Sequence, residues 1–318
     1  MYGRSSKIQG TLWKWLFGMS SIYMMSKFKV VGIYGRVKNR NIIEALNALI
    51  SYLHSIKQKF IVEAETAEAL EDTPITCISR DKLSKNCDLL IVVGGDGSLL
   101  HAAHAVLNNE IPVLGINRGR LGFLTDILPA ELDKIKAILA GDYILEKRFL
   151  MTASVEYQGQ MIGQSDALNE VALIPDSVPH MNEFEIYIDK QFVCSQDSDG
   201  LIVATPTGST AYALSGGGPI LHPQLDAVVI VPMFPHTLSI RPIVIEGNRR
   251  ITIIITPNNT TTPRLTCDSQ AFINTPPGSH IHIHKKPQRL HLIHPLDYDY
   301  YETLRSKLYW GRKLQYSE

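Results

Sequence analysis

Two different spacings of apolar residues divide the chain. From Phe28 to about Leu145, short continuous apolar runs alternate with segments of helical spacing. Phe28-Lys29-Val30-Val31-Gly32-Ile33-Tyr34, Phe60–Val62, Leu89–Val93 and Pro112–Asn117 read as buried strands. Between them, Asn41–Lys57 sets Ile42, Leu46, Leu49, Ile50 and Leu53 on one helical face. Another helix opens at Ser98, and a third runs through Leu132, Ile135 and Leu139 to stop at Gly141. Strands alternating with helices predict a parallel sheet covered on both faces. Beyond Arg148 the spacing falls to alternation. Thr152–Tyr157, Glu183–Ile188, Gly200–Ala204, Val228–Val231, Arg250–Thr256 and Ile281–His284 are short runs separated by turn clusters such as Pro257-Asn258-Asn259 and Pro276-Pro277-Gly278-Ser279. They predict a mostly antiparallel β domain, with one helix inserted at Ser209–Leu214 and a helical tail at Tyr301–Tyr309.

The expected fold is therefore α/β. A Rossmann-like parallel-sheet domain occupies residues 25–147, a β-rich, β-sandwich-like domain residues 148–295, and a helix within 296–318 packs back on the first domain. At 318 residues the chain is long enough to bury two cores. Lys+Arg and Asp+Glu both number 31, so no broad basic field exists to hold nucleic acid or an acidic membrane. The four cysteines, Cys77, Cys87, Cys194 and Cys267, form no Cys-x-x-Cys pair and suggest neither a zinc site nor a disulfide framework; a reducing cytoplasm fits. The apolar stretch Leu12–Met19 is interrupted by Lys14, lacks a small-residue cleavage site and is too short to span a bilayer. With Met24 and Met25 just before the first strand, residues 1–24 read as an upstream extension rather than a membrane-targeting segment.

Two glycine-rich segments carry the chemistry. Gly94-Gly95-Asp96-Gly97-Ser98 follows a buried strand and leads straight into Leu99-Leu100-His101-Ala102-Ala103, which has helical spacing. A strand, a glycine turn and a helix opening make an anion-binding corner, because free backbone N–H groups point outward there. Asp96 at its apex would repel phosphate and so suits a hydroxyl or a metal ion, which points to a kinase-like site. A plain Asp-Gly hairpin turn would need a strand, not a helix, on its far side. There is no Gly-x-x-x-x-Gly-Lys-[Ser/Thr] loop, so the chain is not a P-loop kinase.

The second segment decides among kinase groups. Ser198-Asp199-Gly200 through Thr205-Pro206-Thr207-Gly208-Ser209-Thr210-Ala211-Tyr212-Ala213-Leu214-Ser215-Gly216-Gly217-Gly218-Pro219 closely resembles the signature of the NAD kinase family, most of all its proteobacterial branch. Further matches are Gly115–Asp126, Leu168-Asn169-Glu170-Val171, Val231–Pro242 and Cys267-Asp268-Ser269-Gln270, in the family's order from about Lys27 onward. The resemblance implies phosphoryl transfer from ATP to the 2′-hydroxyl of the adenosine ribose of NAD, with NAD and ATP as substrates and no nucleic acid or membrane partner. It implies Asp96 as general base, a role that chemistry supports: a carboxylate is the usual acceptor for a ribose hydroxyl and can take its proton during attack.

For the remaining site the resemblance implies NAD-binding roles for Asp96, Gly97, His101, Asn169, Glu170, His180, Asp199, Thr210, Ala211, Tyr212, Ala213, Leu214, Ser215 and Gln270. Each has a plainer reading alone: a turn for Asn169–Glu170, a helix cap for Thr210, a core aromatic for Tyr212, a surface position for His101 and Gln270. Mg²⁺ or another divalent ion is implied mainly through ATP phosphates, with no protein metal ligands. A homodimer or homotetramer is implied as well. Asp197 departs from the pattern, since relatives often carry a basic residue there. His280, His282 and His284 share one strand face but have no nearby Cys or carboxylate to complete a metal site, and the Asp297–Tyr301 cluster reads as a domain or subunit contact. Two rival readings stay open: a lipid or sphingoid kinase sharing Gly-Gly-Asp-Gly, and a sensor that binds NADP(H) without turnover.

Overall fold

The computed structural model describes residues 26–36, 40–70, 75–119, 122–176, 181–309 and 311. The 1–24 extension and His180 lie outside the described residues. The first half runs β1 (Val31–Gly35), α1 (Arg40–Ser55), β2 (Phe60–Glu63), α2 (Ala64–Glu68), β3 (Cys77–Ile78), α3 (Leu83–Asn86), β4 (Leu89–Val93), α4 (Asp96–Val106), β5 (Val113–Ile116) and α5 (Asp133–Ala140). These strands pair in parallel in the order β3-β2-β1-β4-β5. On one face Ile42, Leu46, Leu49 and Leu53 of α1 and Ile135 and Ile138 of α5 pack on Val31, Ile33, Leu89 and Ile91. On the other, Leu99, Ala102 and Val106 of α4 cover Leu90 and Val92. Burial on both faces explains why these strands read as unbroken apolar runs. Gly141 ends α5 in the left-handed conformation, φ +110°, as its position after the last apolar residue predicts.

The second half runs β6 (Ile144–Tyr157), β7 (Gln160–Ala167), β8 (Glu170–Ile174), β9 (Asn182–Ile188), β10 (Gln191–Ala204), α6 (Tyr212–Ser215), β11 (Ala227–Pro235), β12 (Ile243–Glu246), β13 (Ile251–Ile255), β14 (Arg264–Cys267), β15 (Ala271–Asn274), β16 (His280–His294) and α7 (Tyr300–Leu308). Two antiparallel layers, β7-β6-β16-β13-β9 and β15-β14-β8-β10-β11-β12, share the long strand β10, whose first half pairs with β9 and second half with β8 and β11. Phe149, Val155, Phe184, Ile253 and Ile281 from one layer meet Leu173, Leu201, Val203, Ile230 and Leu265 from the other. The fold class is as expected, α/β followed by a β-sandwich.

The halves are joined by more than one chain crossing. The end of β16 adds in parallel to β5, pairing Leu292 with Val113 and Ile293 with Leu114, while β6 runs antiparallel along the whole of β16. The inserted helix differs from expectation. Gly208–Thr210 forms one 3₁₀ turn, and Ala211, at φ −103° and ψ −125°, separates it from the short α6. That break leaves Tyr212 exposed while Ala213 is buried beneath the sheet.

Candidate active site

Asp96 is the first residue of α4, where unpaired helix N–H groups and the positive end of the dipole lie. Gly94 before it has φ +155°, and a Cβ there would stand 2.4 Å from Ser98 Oγ. The carboxylate is gripped by the segment after β5. Phe123 N–H donates to Oδ2 at 2.9 Å, Leu124 N–H to Oδ1 at 3.0 Å and the Thr125 hydroxyl to Oδ1 at 3.3 Å. Asn117 Nδ2 donates to Thr125 Oγ1 at 2.7 Å, and Gly122 N–H closes the turn on Thr125 O. A cleft of about 540 Å³ opens beside Asp96, lined also by Asn41, Gly95, Asn117, Arg118 and Lys307. Lys307 comes from α7, so the tail contributes a cation to this cleft.

A second group forms around Asp268, which sequence reasoning noted only as part of a motif. Its buried carboxylate accepts the N–H groups of Leu168 at 2.8 Å, Asn169 at 2.8 Å and Glu170 at 3.2 Å. Asp268 itself sits at φ +50° in the turn between β14 and β15. The Thr205–Gly208 loop packs on the same segment: Thr205 N–H donates to Asn169 O, and a Cβ on Gly208 would stand 2.1 Å from that oxygen. Glu170 is buried, with Oε2 lacking a partner. Burial, and then the Asp268 charge, push its carboxyl up to about 7, against the Tyr212 N–H that favours the ionised form. Asn169, Glu170 and Tyr212 are thus brought together. Thr210 Oγ1 donates to Thr207 O, Ala211 and Leu214 are half-buried and Ser215 is exposed. Asp199 is half-buried on β10, its carbonyl accepting from Asn182 Nδ2. Asp197 is exposed opposite Glu183, a like charge across the strand pair.

His101 does not share the Asp96 cleft. It lines another, of about 580 Å³, with Arg80, His104, Asp166 and Gln270. Its Nδ1 pairs with the Tyr34 hydroxyl at 2.8 Å, and Arg80 Nη1 lies 3.1 Å away. Burial, then the Arg80 and Arg36 cations, lower its value, which favours the neutral ring beside the Arg80 guanidinium. His104 Nε2 reaches Asp268 Oδ2 at 3.6 Å and ties α4 to the second group. Among the described residues, no group of three or more His, Cys, Asp or Glu is arranged to hold a metal ion. The absence of a carboxylate near the β16 histidines is corrected: Glu156 stands 3.9 Å from His282, which also pairs with Thr252 Oγ1 at 3.2 Å. Asp297 pairs with Lys134 at 2.8 Å, and Asp299 caps α7 by accepting from Tyr301 N–H.

The family description "ATP-NAD kinase N-terminal domain" matches residues 31–143, and "ATP-NAD kinase C-terminal domain" matches residues 168–295. The chain is 53% identical over 291 residues to the NAD kinase of Ectopseudomonas mendocina, covering 91% of this chain and 99% of that one. It is 54% identical over 291 residues to the NAD kinase of Pseudomonas syringae pv. syringae, covering 91% and 98%. The structure of yeast NADH kinase complexed with NADH matches with a TM-score of 0.83 at 25% identity, covering 91% of this chain and 90% of that one. An NAD kinase from Archaeoglobus fulgidus in complex with ATP shares the fold, with a TM-score of 0.65 at 23% identity and 84% and 94% coverage. A chain matched in both halves, and at more than half identity to such relatives, belongs to the NAD kinase family.

Proposed function

We propose that this chain transfers the γ-phosphoryl group of ATP to the 2′-hydroxyl of the adenosine ribose of NAD, with Asp96 as general base. The observation that carries this reading is the carboxylate held at a helix N-terminus by Phe123, Leu124 and Thr125. Oδ1 receives two of these donors and Oδ2 only one, leaving Oδ2 a lone pair for the ribose hydroxyl. As the 2′-oxygen bonds to phosphorus, its proton passes to Asp96, and the bond to the β–γ bridging oxygen breaks with ADP taking the electron pair. Arg118 and Lys307 set positive charge in the cleft beside it, where donor phosphates would lie. The same carboxylate then repels the new 2′-phosphate, which favours release. Asn169, Glu170 and Tyr212 are proposed to hold the dinucleotide: an amide for a base edge and a carboxylate for ribose hydroxyls.

The donor set does not fit a resident metal. The Asp96 carboxylate is already engaged by three donors, and the described residues supply no cage. A divalent ion would arrive on the ATP phosphates as part of the substrate, in keeping with the preference of Mg²⁺ for phosphate oxygen and water. We also propose the division into domains at residues 25–147 and 148–295, with a helix within 296–318 packing back on the first. The sandwich core around Phe184 and Val203 supports it, while Leu150, Leu168, Leu290 and Leu292 join the α4 side of the first core at the junction. A homodimer or homotetramer is supported by exposed Phe234, Leu238, Ile243 and Val244 around β11 and β12. Cytoplasmic residence is supported by four free cysteines, of which Cys87 and Cys267 are pushed up to about 12 by burial.

The test incubates the purified protein with ATP, Mg²⁺ and NAD and reads NADP with an NADP-specific dehydrogenase. NADP formation is expected. NADP binding without turnover would establish a sensor instead, and phosphorylation of diacylglycerol but not NAD a lipid kinase.

A further inference from the structure

A buried chain of charged groups runs behind the site, and none of its members lines either of the two clefts. His294, at the end of β16, is 1% exposed and lies between two carboxylates: Nδ1 donates to Asp126 Oδ2 and Nε2 to Glu146 Oε2, the latter at 3.0 Å. Arg148 Nη2 donates to the same Glu146 oxygen at 2.6 Å, and its Nη1 to Thr207 Oγ1 at 3.1 Å. The imidazole stacks on Tyr298 at 4.0 Å between ring centroids. Burial pushes the Asp126 carboxyl up, opposed by the His294 bond and the His294 and Arg148 charges, while Glu146 is held down to about 2. With both carboxyls ionised they only accept, and the ring donates from both nitrogens as an imidazolium. Two anions then balance two cations.

Removing four charges from water is costly, and an apolar cluster of the same volume would hold the strands at least as well. The endpoints give the cluster a use. Asp126 directly follows Thr125, the last residue of the turn that grips Asp96, while Thr207 lies in the loop that packs on Asn169. We infer that His294 is a positioning residue, which fixes the Asp96 turn against the Thr205–Gly208 loop through Asp126 on one side and Glu146 and Arg148 on the other. This inference rests on the reading of Asp96 as the base. It requires the Asp126 side of the ring to govern turnover and the Glu146 side to govern the opposite loop.

The ring nitrogens can be separated by amides. In His294→Asn the amide nitrogen replaces Nδ1 and keeps the bond to Asp126; in His294→Gln it replaces Nε2 and keeps the bond to Glu146. Both lose the charge, so similar losses of thermal stability are expected. The kcat of His294→Gln is expected to fall about tenfold, because small displacements of a reacting group are costly. His294→Asn should keep kcat within about threefold of the parent but raise KM for NAD, because it loses the bond to Glu146, while KM for ATP changes little in either variant. Thr207→Val, which cuts the far end without touching the imidazolium, should raise KM for NAD more than it lowers kcat. Equal kcat losses in the two His294 variants, tracking their stability, would overturn the inference, as would normal kcat in both. Asp96→Asn is run beside them: full turnover there removes the base itself, whereas an inactive Asp96→Asn with a normal His294→Gln removes only the positioning role.

Discussion

Replacing Gly122 with alanine tests whether the observed grip on Asp96 is the working geometry. A Cβ at this position would stand 2.1 Å from Asp96 Oδ1 and 2.3 Å from Thr125 Oγ1, whereas real contacts stay above 3.0 Å. The carboxylate or the turn must therefore move by about 1 Å, and a displacement of that size at a reacting group costs on the order of 10²-fold in rate. That corresponds to about 2.7 kcal/mol of lost transition-state stabilisation. The variant keeps the carboxylate and its charge, so it separates position from chemistry in a way that Asp96→Asn does not. In Asp96→Asn an amide N–H also faces Phe123 N–H or Leu124 N–H, both donors, and the turn is disturbed along with the base. The assay is steady-state NADP formation at saturating ATP and NAD, with circular dichroism to confirm an intact fold. A Gly122→Ala enzyme that folds normally and turns over within about threefold of the parent would refute the argument.

Asp96→Asn is expected to lower kcat by about 10²–10⁴ with the fold retained, read by the same dehydrogenase-coupled assay. Arg118→Ala and Lys307→Ala are each expected to raise KM for ATP about three- to tenfold while KM for NAD changes little, and the effect should shrink at high salt. Glu170 is held at about 7 against an ordinary 4.5, chiefly by burial. An acid raised in this way keeps in the folded state a proton that the unfolded chain has shed, so its contribution to stability is full below pH 4.5 and declines as pH rises toward 7. Glu170→Gln should therefore raise the melting temperature at pH 8 relative to the parent and leave it similar at pH 4.5, as followed by calorimetry.

Much of the first half was legible because both faces of its sheet are covered. Runs such as Leu89–Val93 have no polar alternative, and α1 is bounded as its apolar stripe predicts. Short strands such as β3, of two residues, carry too little pattern to be seen. The long strands β6 and β16 were read only in part. Each changes partner or surroundings along its length, and β16 is broken by an irregularity between Lys285 and Arg289 that interrupts the alternation. In the site, Asp96 was recognisable because a carboxylate in a glycine turn before a helix is unusual. Its partners at Phe123 and Leu124 were not, since backbone donors leave no mark on side-chain identity. Asp268 was hidden for another reason: it acts on Leu168, Asn169 and Glu170, about a hundred positions earlier, and only the β8–β14 pairing brings them into register. His101 read either as a nucleotide-binding residue or as a surface histidine, and its contacts with Tyr34 and Arg80 leave no mark in the local sequence.

The parallel addition of β16 to β5 bears on how the protein is made. Val113 leaves the ribosome long before Leu292, its partner, has been polymerised. Until then the growing sheet has an open flank, with the N–H and C=O groups of β5 unsatisfied on that side. Pairing so distant in sequence is slow to find, and a nascent chain bearing such a flank is open to mispairing. Biogenesis of the N-terminal half is therefore coupled to completion of the whole polypeptide, and a ribosome that stalls within the sandwich leaves behind an N-terminal fragment lacking the strand that seals it.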